Sequence, residues 1–206
     1  MPRLIPLYKE LLSEFGPQSW WPADSRYEVV VGALLTQNTN WKNVEKAITN
    51  LKEADMLDPR KILKTRNPEL ETLIRPSGFY RQKAERLKLL SAKYLEITER
   101  MVERGRRQGG SGGVPTREEL LSVKGVGKET ADSILLYAFD LPYFVIDAYT
   151  RRFCEHHKLF RGKEYDEYRE FFESNLPRDV ALYKEYHALI VAWGKDVAVR
   201  RPFGPS

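Results

Sequence analysis

Cysteine is almost absent: Cys154 is the only one in 206 residues. A single thiol excludes an intrachain disulfide and any metal cage built from several cysteines, an iron–sulfur cluster included. Histidine is scarce as well, and His156, His157 and His187 show no ligand spacing with a nearby carboxylate, so no catalytic metal is expected. Long apolar runs are missing. Nothing approaches the roughly 18 apolar residues that read as a membrane span, and Met1-Pro2-Arg3-Leu4 opens no apolar stretch long enough for a signal peptide. The expectation is an intracellular, cytoplasmic protein with no membrane partner. Convincing alternating strands are lacking too, as is any phosphate-binding strand–loop–helix.

What the chain has is charge and helical periodicity. Charged residues make up 31% and hydrophobic ones 42%, which fits a soluble globular protein. The net charge of +5 tolerates a polyanionic partner but is modest enough that its distribution matters more than its total. The length allows one sizeable core or two small lobes. Apolar spacing predicts helices over 3–15, 27–35, 41–52, 59–64, 68–74, 81–103, 148–156, 165–174 and 179–199, with a glycine-rich loop at Gly105–Gly113. For 27–35 a strand competes because of Val29-Val30-Val31. Thr116-Arg117-Glu118-Glu119 has the form of a capping box. The fold class expected is all-α.

The rest is organised around residues 120–153. Gly125 and Gly127 flank Val126, which suits a tight turn with unusual dihedrals and close approach to another surface. A helix follows from Lys128 to about Phe139, and the free amides at its start can hold a phosphate, helped by Lys124 and Lys128. A helix-hairpin-helix for DNA has this form, and so has a plain corner between helices. About twenty residues after Gly127, Asp147 interrupts an apolar run. It could cap the helix beginning at Ala148. It could also serve as an ionised carboxylate, partly desolvated by Val145 and Ile146, that stabilises a sugar gaining positive charge or orients an attacking water.

Leu121, Gly125, Val126, Gly127, Thr130, Ala131, Asp147 and Arg152 resemble the pattern of the endonuclease III superfamily of DNA glycosylases, which combine a helix-hairpin-helix with a downstream catalytic aspartate. The resemblance implies a six-helix lobe at 25–142 and a second lobe made of 1–24 and 143–206, with the active-site cleft between them and Asp147 as the essential acid. Bifunctional members place an amine nucleophile two residues after the second hairpin glycine. Glu129 stands there, and a carboxylate cannot form an imine, so base release without strand cleavage is expected. Lys128 lies one helical step, about 100°, away.

Trp20-Trp21-Pro22, 32–39, 75–80 and 125–132 are similar to the short, cluster-free 3-methyladenine glycosylases of that superfamily. That likeness implies base excision repair of double-stranded DNA by a monomer. Trp21, Trp41 and Pro22 would line the base pocket, and Trp20, Glu129, Tyr149 and Lys195 are further candidates, with His187 and Trp193 from the last helix. An electron-rich indole attracts a cationic base. Gln37 or Asn38 would enter the DNA stack. Arg75, Lys124, Gly125, Val126, Gly127, Lys128, Arg151 and Arg152 would meet phosphates. An alkali cation (Na⁺ or K⁺) on the carbonyls of Leu121, Val123 and Val126 is implied by the family, and no other cofactor. Each residue also has a structural use, as packing, cap or solvated charge. Uracil or thymine mismatch excision and a non-enzymatic DNA-binding module are the competing readings.

Overall fold

The computed structural model describes residues 3–108 and 113–200. Residues 109–112 of the expected glycine loop, and the chain from Arg201 onward, lie outside the described residues. The elements in order are α1 (Leu4–Phe15), α2 (Arg26–Leu35), α3 (Trp41–Glu53), α4 (Pro59–Lys64), α5 (Asn67–Ile74), a 3₁₀ turn (Arg75–Ser77), α6 (Tyr80–Gln108), α7 (Arg117–Leu121), α8 (Lys128–Ser133), a π turn (Ile134–Ala138), α9 (Ala148–His156), α10 (Tyr165–Asn175) and α11 (Val180–Arg200). There is no strand among the described residues. The chain divides into two compact units, one of 1–22 with 140–206 and one of 23–139.

Local capping explains why 26–35 is helical despite its valines. Ser25 Oγ accepts from the Glu28 amide at 3.1 Å, and Glu28 Oε2 accepts from the Asp24 amide at 2.8 Å. Those bonds satisfy donors that a helix start leaves open. Every residue from Tyr27 to Leu35 is buried, so α2 is the central helix of the second unit. Around it α6 turns Ala84, Leu87, Leu90 and Ile97 inward.

Two elements differ from expectation. α6 runs to Gln108 rather than ending near Glu103, because one glycine costs a helix only about 1 kcal/mol and the residues flanking Gly105 are good helix formers. The helix after the hairpin is α only to Ser133 and widens into a π turn over Ile134–Ala138. All residues from Thr130 to Phe139 are buried, so packing on every side outweighs the regular ladder there.

The capping box at Thr116 and Glu119 is present. α7 is tied to α6 by a bidentate pair between Arg100 and Glu119, and to α8 by Arg117, whose Nε lies 2.6 Å from Asp132 Oδ1. The Arg117–Asp132 pair is buried and spans the two arms of the hairpin. In the first unit, the Tyr186 hydroxyl donates to Leu4 O at 2.8 Å and joins α11 to α1. Phe144, Phe153, Phe172 and Tyr186 form the centre of that unit.

Candidate active site

The segment entering Asp147 is pinned by backbone and ring contacts. The Phe144 amide donates to Glu173 Oε1 at 2.9 Å, the Ile146 amide to the Tyr165 hydroxyl at 3.2 Å, and the Phe144 ring stacks on Phe172 at 4.1 Å. Asp147 therefore arrives at the start of α9 in a fixed extended conformation. Its Oδ1 accepts from the Thr150 amide at 2.7 Å and from the Thr150 hydroxyl at 2.9 Å. Asp147 is thus a helix cap, and its second oxygen, Oδ2, stands 3.5 Å from His187 Nε2 on α11.

The environment sets the charge. Burial acts to raise the Asp147 carboxyl, but His187 and the two Thr150 donors outweigh it, so the group sits below the ordinary aspartate value. The side chain keeps 17% of its exposure. An ionised, oriented carboxylate with one oxygen committed to a cap is suited to stabilising a developing cation or holding a water.

In the second unit the hairpin is built around Gly125, whose φ of +89 lies in the region that favours glycine. A Cβ there would come within 2.3 Å of Arg86 Cδ, so the turn also needs glycine for close packing. Gly127 is different. Its φ is ordinary and an added Cβ would meet nothing within 4 Å, so no contact with the described residues requires glycine at that position. The Gln37 amide nitrogen donates to Gly125 O at 3.0 Å and to Thr130 Oγ1 at 2.9 Å, while Arg86 donates to its oxygen at 3.3 Å. Gln37 is therefore a strut of the hairpin. Asn38 beside it is exposed, takes a φ of +52 and makes no hydrogen bond through its amide with the described residues.

Residues 31–178 match the family described as HhH-GPD superfamily base excision DNA repair protein. The chain belongs to that superfamily. It is a DNA N-glycosylase with the all-α, two-lobe helix-hairpin-helix fold. A protein of Methanocaldococcus jannaschii, provisionally named a DNA repair glycosylase, is 54% identical over 90% of this chain and 84% of its own length. Endonuclease III of Thermotoga maritima is 31% identical over 93% of this chain and 82% of its own. Among solved structures, the 3-methyladenine DNA glycosylase of Helicobacter pylori bound to 1,N6-ethenoadenine is 32% identical with a TM-score of 0.79, covering 95% of this chain and 98% of that one.

The glycosylase's other candidate residues divide between the two units. In the first, Trp20 and Trp21 are half-buried with ring centroids 5.1 Å apart, and Pro22 is exposed. The edge of the Tyr149 ring, at Cδ1, faces Gly194, where a Cβ would come within 2.2 Å of it, and Arg152 lies 6.0 Å from the ring centroid. Lys195, next to Gly194, is exposed. Trp193 is buried and packs on Phe153 at 5.2 Å and His157 at 5.6 Å. Arg151 covers the Tyr168 ring at 4.6 Å.

In the second unit, the Trp41 indole donates to Glu45 at 2.8 Å, Lys124 and Glu129 are exposed, and Lys128 is half-buried. Arg75 is exposed, 5.7 Å from the Tyr80 ring. The Val123 carbonyl accepts from the Val126 amide at 3.0 Å. With Leu121 and Val126 it would offer neutral oxygen donors, which suit a hard alkali ion rather than a transition metal. The described residues hold no cluster of three or more His, Cys, Asp or Glu able to take a metal ion.

Sequence reasoning gave no role to Thr150, Asp132, Lys83 or Phe79, and Arg117 only a place in the capping box. Phe79 is 64% exposed with a φ of +46, directly after the turn that carries Arg75. Its signal was an aromatic standing outside the apolar period of α6.

Proposed function

We propose that this glycosylase excises alkylated purines such as 3-methyladenine from double-stranded DNA by hydrolysis alone, leaving the abasic strand uncut. The observation that carries the reading is Asp147, kept anionic and oriented by Thr150 and His187. The likeness to the Helicobacter pylori enzyme supplies the substrate class.

In this reading the bond from C1′ to the base nitrogen breaks, its electron pair leaves with the cationic base, and the base departs neutral. Asp147 stabilises the positive charge left on the sugar and orients the water whose oxygen joins C1′, its proton passing to solvent. The leaving group is already activated, so no acid beside it is required. Trp21, with Trp20, Pro22, Tyr149 and Lys195 of the same unit, would hold the base, and Trp41 of the other unit is a further candidate for it. Indole attraction for a cation contributes about 0.5–2 kcal/mol. Glu129 adds a favourable charge and, standing where bifunctional relatives carry an amine, leaves no nucleophile for an imine.

With Gln37 committed to the hairpin, Asn38 is the amide that fills the vacated space, and Phe79 is the apolar wedge. The Gly125 and Gly127 amides hold phosphate, the open face of Gly127 letting the DNA backbone approach, with Lys124 and Lys128 on the same hairpin; Arg75, Arg151 and Arg152 are further phosphate contacts. An alkali ion on the hairpin carbonyls would reinforce that phosphate contact. The protein acts as a cytoplasmic monomer.

The test measures base release from duplexes carrying 3-methyladenine, a G·U or a G·T pair, followed by borohydride trapping. Release of methylated purine with no covalent adduct supports the reading. Release of mismatched pyrimidine alone, or an adduct through Lys128, overturns it.

A further inference from the structure

We infer that Lys83 is a positioning residue that holds the two DNA-entering chain reversals at a set spacing, through one amine shared between their carbonyls. The inference rests on the reading of Asn38 and Phe79 as the residues that enter the duplex. Lys83 sits in the first turn of α6 and is 1% exposed. Both facts are unfavourable for a lysine. Cations are disfavoured at helix starts, and a buried ammonium is costly unless its donors are bonded. Burial, with Arg86 adding like charge, pushes the amine down to about 8.

What offsets these costs is a pair of backbone bonds. Lys83 Nζ donates to Leu35 O at 2.9 Å and to Ser77 O at 2.6 Å. Leu35 is the last residue of α2, three before Asn38. Ser77 ends the 3₁₀ turn, two before Phe79. Each reversal carries its tip residue in the left-handed region, Asn38 at φ +52 and Phe79 at φ +46. A core position needing only volume would take Met or Leu, as buried positions of α6 such as Leu87 and Leu90 do. A charged donor is needed at Lys83 because two carbonyls from separate reversals must be bridged by one group. A wedge misplaced by about 1 Å loses much of its effect on the reacting centre, so the bridge acts on base extrusion rather than on general DNA affinity.

The experiment compares wild type with K83M and K83R. Three quantities are measured: thermal melting, affinity for undamaged duplex, and base extrusion followed by 2-aminopurine fluorescence beside a lesion with single-turnover excision. K83M is expected to remain folded and to bind undamaged duplex within about threefold of wild type. Its extrusion and excision rate should fall at least about tenfold. K83R, whose planar fork can reach both carbonyls, should recover most of that loss. Wild-type extrusion in K83M overturns the inference. So does a loss in K83M that tracks lowered melting and lowered affinity together, or no recovery in folded K83R. If K83M does not fold, K83Q, which can donate to one carbonyl, carries the same comparison. A different failure marks the underlying reading: if N38A and F79A extrude bases as wild type does, those residues are not the wedge, whatever Lys83 variants show.

Discussion

Replacing Asp147 by Asn and by Ala separates its two uses. The carboxylate caps α9 through Thr150 and faces His187. Asn keeps an oxygen for the Thr150 amide and is an equally good cap, so D147N should change stability by only a few tenths of a kcal/mol. Ala removes the cap and should cost about 0.5–2 kcal/mol, each kcal/mol lowering the melting temperature by roughly 2–4 °C in a chain of this size. Catalysis should not follow stability. Losing one pre-aligned charge that stabilises a transition state costs about 10²–10³ in rate, and both variants lose the charge. Single-turnover release of 3-methyladenine, run well below each melting temperature, gives the chemical step; binding to an abasic-site duplex gives the affinity. Excision should fall by about that factor in D147N and D147A alike. Abasic-duplex affinity should be retained in D147N. If D147N excises within about tenfold of wild type while D147A fails in proportion to its instability, Asp147 is a cap and the chemistry lies elsewhere.

Removing the Thr150 hydroxyl should move the pH profile. Asp147 is held below its ordinary value, so it ionises at lower pH than a free aspartate, and the stability it contributes at neutral pH is lost only as pH falls through that depressed value. T150V removes one donor that favours the carboxylate, so the acidic limb of kcat/KM should shift to higher pH. An unmoved limb would show that the hydroxyl does not act on the titrating group. At the hairpin, G125A should destabilise the protein because of its positive φ and its contact with Arg86. G127A should melt as wild type yet bind duplex DNA more weakly, which filter binding at fixed salt measures; unchanged affinity would remove Gly127 from the interface.

Much of the scaffold was legible in local sequence because its signals are local. Ser25, Asn40, Asp58, Thr116 and Asp147 all stand at helix starts as their side chains suggest, and helical periodicity marked the inward residues of α6. The lone cysteine and the Gly125-Val126-Gly127 turn followed by Asp147 could likewise be read without coordinates. Side-chain partners distant in sequence could not. Gln37 and Asn38 are adjacent amides of similar chemistry, and only contacts from the hairpin 88 residues away make one a strut. Asp147 and Thr150 are three apart, but His187 reaches that carboxylate from α11, so the charge balance at the acid depends on packing. The contacts of Trp193 with Phe153 and His157 could not be read from its place in the last helix either. Lys83 looks like any helix-surface lysine until Leu35 and Ser77 meet over it. The sequence by itself determined most helix starts, the hairpin turn and the Asp147 cap, because each depends on neighbours along the chain. Which side chains are committed to contacts within the fold was decided by tertiary structure, because burial and hydrogen-bond partners come from residues that sequence distance keeps apart.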